Sequence, residues 1–234
     1  MKQELLVALL VAGFALALIA SRLYYEFKLR KHCTKRLPEK LGKLASSGVE
    51  VCVVPSGILR KIVGDLYGLT IGFAKPVVFI SSSVFKELSE SATECIVAHE
   101  LAHARLRHNT KSILGVIAST SILITAALAG NIYALGASAL ASWLLAHYVN
   151  ERLELEADKH AALEVGPLKY FVALVELREL EAKISRNSSR KTRVSSLLHA
   201  FMGYPSYTKR LRNIENLVRE LATKHSNAHV NMKA

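Results

Sequence analysis

Five consecutive residues, His99-Glu100-Leu101-Ala102-His103, carry the most specific chemistry in this chain. On a helix, positions i and i+4 share a face, so both imidazoles can hold one metal ion. Glu100, turned about 100° from His99, can reach a water beside that ion. Such a pattern suits a zinc hydrolase, in which a metal polarises a carbonyl and a carboxylate moves the proton. Two histidines leave the site one protein ligand short, because catalytic zinc ordinarily takes three and keeps a fourth position for water. Downstream, Asn150-Glu151-Arg152-Leu153-Glu154-Leu155-Glu156-Ala157-Asp158 offers three glutamates. Glu154 is the one followed four residues later by an acid on the same face, Asp158, and such an acid can steady a ligand histidine through its other ring nitrogen. The expected ligands are therefore His99, His103 and Glu154 around one Zn2+ per chain, with Asp158 behind them and Glu100 as general base. The competing reading of the downstream acids is a solvated helix face paired with Arg152 and Lys159.

A helix must present the first motif. Ser91 and Glu94 are spaced as a capping box ahead of Cys95-Ile96-Val97, which predicts a helix from about Ala92 to about Arg107. Val49 to Val54 is rich in β-branched residues and reads as a strand. Leu66 to Phe73 and Val77 to Ile80 read as two more, joined by a short turn at Ala74-Lys75-Pro76. Asn150 to Val165 and Pro167 to Ile184 read as helices parted at Gly166, with proline in the first turn of the second. A Ser- and Arg-rich linker at Ser185 to Ser196 and a last helix over Tyr207 to Lys224 complete the chain. The expected fold class is mainly α with a small β-sheet.

Two apolar blocks interrupt this pattern. Leu5 to Ala20 has no charge and nearly spans a bilayer as a helix; a cleaved signal peptide ending near Ala15-Leu16-Ala17 is its rival. Between Arg22 and Lys43 stand eight Lys or Arg and two Glu, which by the positive-inside rule places this segment in the cytoplasm. Ser112 to Val149 also lacks any charge, and about 57 Å of helix is too long for one crossing, so a transmembrane hairpin turning at Gly130-Asn131 is expected. A buried hairpin of a soluble core is the alternative. His103 and Glu154 flank this hairpin, so the metal should lie within roughly 10 to 15 Å of the membrane surface, with Arg105, Arg107 and Lys111 among the headgroups. His108 and His147 read as interface residues, solvated or packed.

The chain has 234 residues, 51% of them hydrophobic, with a formal charge of +12 and three cysteines. Its apolar content excludes a disordered chain. Cys33, Cys52 and Cys95 are odd in number and lack C-x-x-C spacing, which points to free thiols and a reducing compartment. The basic balance without interleaved aromatics favours an anionic membrane surface over nucleic acid.

Val77 to Ser83, then Leu88 to His108, then Glu154-Leu155-Glu156-Ala157-Asp158 together resemble the HtpX and CAAX prenyl endopeptidase family of membrane zinc metallopeptidases, over about Val49 to Leu217. The stretch Gly68 to Pro76 also resembles sensor peptidases of the BlaR and MecR type. The resemblance implies a membrane-bound zinc endopeptidase acting on membrane-proximal or misfolded proteins, with a protein substrate and the bilayer as partners. On this scheme residues 1–25 are the anchor, 26–111 and 150–225 the two parts of the peptidase domain, 112–149 the hairpin, and 226–234 a disordered tail. The family pattern His-Pro with an Arg five residues after the Pro is matched by Tyr204-Pro205 and Arg210, with Tyr in place of His. This implies Tyr204 as the oxyanion donor, with His199 as an alternative. By the same analogy substrate lies along an edge strand, for which Val77, Val78, Phe79 and Ile80 are the candidates. A signalling peptidase cutting one regulator, or a zinc-bearing scaffold without turnover, are the competing functions; the intact Glu100 speaks against the second.

Overall fold

The computed structural model describes residues 2–34, 37, 41, 44, 48–63, 67–72, 75–187 and 203–231. Most of the linker at Ser185 to Ser196, together with His199, lies outside them. In chain order the elements are α1 (Lys2–Arg30), β1 (Glu50–Val54), α2 (Ser56–Val63), β2 (Gly68–Ile71), β3 (Val77–Ser81), α3 (Val84–Glu87), α4 (Glu90–Arg105), α5 (His108–Leu128), α6 (Ile132–Val165), α7 (Pro167–Asn187) and α8 (Tyr207–Asn231). The protein is mainly helical with one small sheet, and α8 runs through to Asn231, further than the Lys224 expected.

The sheet has the order β1-β3-β2. β1 runs parallel to β3, and β2 antiparallel to it. Alternation along β3 feeds two cores. Val78 and Ile80 pack with α4, α7 and α8 residues such as Ile96, Leu101, Leu174 and Ile214. Val77 and Phe79 pack on the other face with Cys52, Leu59 and Leu29 of α1. Burying a side chain such as Leu101 is worth roughly 1.5–3 kcal/mol, and Leu101 has no exposed surface.

This order corrects the expected substrate strand. Val77, Val78, Phe79 and Ile80 form the central strand, paired on both edges and wholly buried, so their backbone has no edge to offer. A continuous apolar run is what a strand covered on both faces requires. The edge opposite β3 on β2 faces the motif helix α4 instead.

A second correction concerns the cysteines. Cys33, just beyond α1, forms a disulfide with Cys52 of β1 rather than standing free. Arg30 donates to Glu50 at 2.7 Å and to Glu26 at 2.9 Å, and Thr34 exchanges backbone bonds with Val53. The foot of α1 is thereby fixed to the sheet.

The motif helix begins two residues earlier than the spacing predicts. Its cap is Ser89, whose Oγ accepts from the Ala92 N–H at 3.1 Å and donates to Glu176 of α7 at 2.6 Å. α5 and α6 form the expected hairpin: Gly130 adopts φ +69°, and the Asn131 side chain accepts from the Tyr133 and Ala134 N–H groups. α6 then continues unbroken from the hairpin to Val165 and carries the downstream acids. Among the described residues, three helices, Leu9–Arg30, His108–Leu128 and Ile132–Val165, are long and apolar enough to cross a membrane. Leu114, Ile122, Leu140, Trp143 and Leu144 stand exposed on the hairpin, so it is not packed inside a core as the alternative reading required. Arg105 and Lys111, expected among headgroups, pair with Glu164 and Glu156.

Candidate metal centre

α4 and α6 cross so that three ligand atoms converge. His99 Nε2 lies 3.0 Å from His103 Nε2 and 3.3 Å from Glu154 Oε2, and His103 Nε2 lies 3.5 Å from Glu154 Oε1. Donors about 2.0–2.1 Å from an ion in a tetrahedral shell stand about 3.3–3.4 Å apart, so this triangle fits one such ion. Two imidazole nitrogens and one carboxylate oxygen also suit zinc, with a position left for water. Of the other glutamates, Glu151 pairs with Lys209 at 2.5 Å and Glu156 with Lys111 at 3.3 Å, which leaves Glu154 to the centre.

Behind His99 sits a buried ionic cluster that joins four helices. The His99 Nδ1–H faces Asp158 Oδ1 at 3.0 Å. Tyr170 of α7 donates to the same oxygen at 2.6 Å, and Arg210 of α8 donates to both carboxylate oxygens at 2.6 and 2.8 Å. Asp158 has no exposed surface. Burial disfavours charge on the His99 ring, but its bonds to Asp158 and Glu154 outweigh that and push the imidazole up to about 9; the Asp158 bond fixes the proton on Nδ1, and Nε2 gives up its own when a metal binds. Burial and the Asp158 charge hold the Tyr170 hydroxyl well above its usual range, so it remains a donor.

His103 has its own support, and it comes from a residue read as a packed interface histidine. His108 Nδ1 stands 2.9 Å from His103 Nδ1, and His108 Nε2 lies 3.2 Å from Glu156 Oε2. With His103 Nε2 turned to the metal position, its Nδ1–H donates to His108, which must then carry its own proton on Nε2 toward Glu156. On an unbroken helix His108 would stand about 140° around from His103. Arg107 breaks the helix with φ 54°, and the turn folds His108 back onto the site, where it is 2% exposed. Periodicity therefore hid it.

Glu100 lies beside the triangle against β2. Thr70 Oγ1 stands 2.8 Å from Glu100 Oε2 and 2.9 Å from the Glu100 carbonyl. Gly68 makes the approach possible, since a Cβ there would sit 2.7 Å from Glu100 Cγ. Gly68 and Thr70 lie in the stretch that resembles the sensor peptidases, yet the sequence assigns neither a place at the site, because a four-residue strand carries no mark of what packs on it.

These groups open onto a cavity of about 590 Å³ that Tyr204 also lines. Tyr204 is placed by Gly203, at φ +85°, whose missing Cβ would otherwise meet the His147 carbonyl oxygen at 2.5 Å. Tyr204 is 47% exposed overall, but its hydroxyl end points into the cavity, and burial there with the charges of Glu154 and Glu100 raises its pKa above the usual phenol value, so it stays protonated and able to donate. Cys95, on the same wall, is pushed up to about 12 by burial and is no nucleophile.

A three-donor cation centre with a carboxylate alongside and a protonated phenol across the cavity has the make-up of a metal-dependent hydrolase. A family model, Peptidase family M48, matches residues 65–218, well over half of the chain, and the chain belongs to that family of metallopeptidases. The matched residues include both histidines, Glu100, Glu154, Asp158, Tyr204 and Arg210. No curated protein matches the chain.

Proposed function

We propose that this chain is a membrane-anchored, zinc-dependent endopeptidase of the HtpX and CAAX prenyl endopeptidase type, cutting membrane-proximal or misfolded protein segments in quality control. The observation that carries this reading is the ligand triangle of His99, His103 and Glu154 with Glu100 beside it, at the foot of an apolar hairpin. Zinc bound there would supply Lewis acidity, polarising the scissile carbonyl and acidifying a water.

The chain's own residues do the rest. Glu100, oriented by Thr70, takes the proton from the attacking water at Oε1 or Oε2 and passes it to the leaving amine. Tyr204 donates its hydroxyl to the oxyanion that develops on the carbonyl. Substrate lies extended along the outer edge of β2, where Gly68, Leu69 and Thr70 line the cavity, and backbone pairing there makes sequence preference broad.

Two observations bear on which side of the membrane the domain occupies. The basic segment after α1 favours the cytoplasm. The Cys33–Cys52 disulfide favours an oxidising side. A reporter fused after Ala234 decides between them.

The test of function is purified wild type against Glu100→Gln in detergent with zinc, following metal content and cleavage of an unfolded protein. Equal zinc with cleavage by wild type alone supports the peptidase; no zinc in wild type sinks it. Zinc without any cleavage moves the reading to a scaffold or a narrow signalling enzyme.

A further inference from the structure

α1 carries no charge from Leu5 to Ser21 and none from Leu23 to Tyr25, yet Arg22 stands between those two runs. A guanidinium at the end of an apolar run either reaches the interface or is received by the protein, and its surroundings decide which. Its neighbours Ser21, Leu23, Tyr24 and Tyr25 are exposed, whereas Arg22 is half-buried and lines the catalytic cavity together with Glu100, Glu154 and Tyr204. The Arg22 charge is felt at the Tyr204 hydroxyl, opposing those of Glu154 and Glu100.

Two arginines line this cavity, and they differ in what they hold. Arg210 is consumed by its two bonds to Asp158. Arg22 forms no ion pair among the described residues, where Glu26 and Glu50 are taken by Arg30, Glu154 by His99 and His103, and Asp158 by His99 and Arg210. Its position is also anchored: the Cys33–Cys52 disulfide and the Arg30–Glu50 bond fix the foot of α1 about 12 Å further along the same helix. An arginine at the wall of a reaction cavity, with no ion pair among the described residues, has a planar donor fork that matches a carboxylate.

We infer that Arg22 is a substrate-binding residue that receives a carboxylate of the peptide, so that a membrane helix contributes selectivity to the active site. This rests on the peptidase reading. The carboxylate has two possible sources, an Asp or Glu side chain within the substrate or the α-carboxylate at its C-terminus. Arg22 shares the cavity with the groups that would do the chemistry, which favours substrate over a lipid phosphate as its partner.

The test uses the full chain in detergent with zinc and a set of matched fluorogenic peptides. One series moves a single Asp, or Asn as control, through the positions flanking the cleaved bond; another compares the free C-terminal acid with the amide. Wild type is expected to favour the charged member by about tenfold in kcat/KM, chiefly through KM. Arg22→Gln is expected to lose that preference, and Arg22→Lys to recover part of it. Preference that follows the Asp position identifies a side chain; preference lost on amidation identifies the terminus. Binding of the same peptides to Glu100→Gln, followed by fluorescence anisotropy, gives the Arg22 dependence without turnover. Equal acidic-to-neutral ratios for wild type and Arg22→Gln, in cleavage and in binding, overturn the inference. So does an Arg22→Gln defect that is the same for all peptides and tracks the content of anionic lipid in nanodiscs, which assigns Arg22 to a headgroup. Failure of the peptidase reading is separate and shows as cleavage that Glu100→Gln does not abolish.

Discussion

Arg210→Met tests the charge of Asp158, which is buried without any exposed surface. Its carboxylate takes two hydrogen bonds from Arg210, one from Tyr170 and one from His99. The methionine keeps most of the apolar stem and removes the counter-charge. What remains around the carboxylate is a phenol and an imidazole, in a place water does not reach. Removing one partner of a buried pair costs about 3–5 kcal/mol, against about 5–15 kcal/mol for a whole domain. The Arg210 side chain retains 16% exposure, so water reaching it trims the gain and the lower half of that range is expected. For a domain of this size each kcal/mol moves Tm by about 2–4 °C, which predicts a fall of roughly 6–16 °C. Scanning fluorimetry of metal-free protein in detergent measures it, and zinc content measured in parallel shows whether His99 has lost its orientation. Adding Asp158→Asn to Arg210→Met removes the stranded charge, so the double variant should melt above the single one. A single variant within about 2–4 °C of wild type, or a double variant that loses the full sum of the two, would refute the reasoning.

Three further outcomes follow from the site. His108→Ala should weaken zinc affinity about 10- to 100-fold by chelator competition, because His103 loses the acceptor that orients its ring, and Glu156→Gln should do less. Thr70→Val should leave zinc bound while kcat falls about tenfold, the loss of one hydrogen bond worth about 1–1.5 kcal/mol in holding Glu100. Tyr204→Phe should lower kcat, and because the Tyr204 proton is held to about pH 12, the wild-type to variant ratio should stay flat from pH 6 to about pH 10. A ratio that narrows across that interval would mean the phenol ionises there and is not the donor.

The candidate ligands were legible because they rest on short-range spacing. His99 and His103 share a face of one helix whatever surrounds it, and the hairpin between 112 and 149 declares itself by lacking charge. The pairing of Glu154 with Asp158 is likewise a four-residue helical relation, and the structure brings Glu154 to both histidines and Asp158 to His99. The strand positions came out close for the same reason, since β-branched runs and a proline turn are local.

What the sequence could not decide was which edges and faces meet. Val77 to Ile80 is strand by composition, but only the pairing with β1 and β2 makes it central and closes its edges. Cys33 and Cys52 are 19 residues apart and meet because the foot of α1 lies across β1. His108 reaches His103 through one left-handed residue, Arg107, which no periodicity foretells. Thr70 and Arg22 reach the cavity only once a strand and the apolar helix α1 are packed against α4 and α5. Local spacing is a property of one helix or strand, set by backbone geometry alone. These contacts join elements distant in sequence, and their positions are set by how the apolar faces pack together.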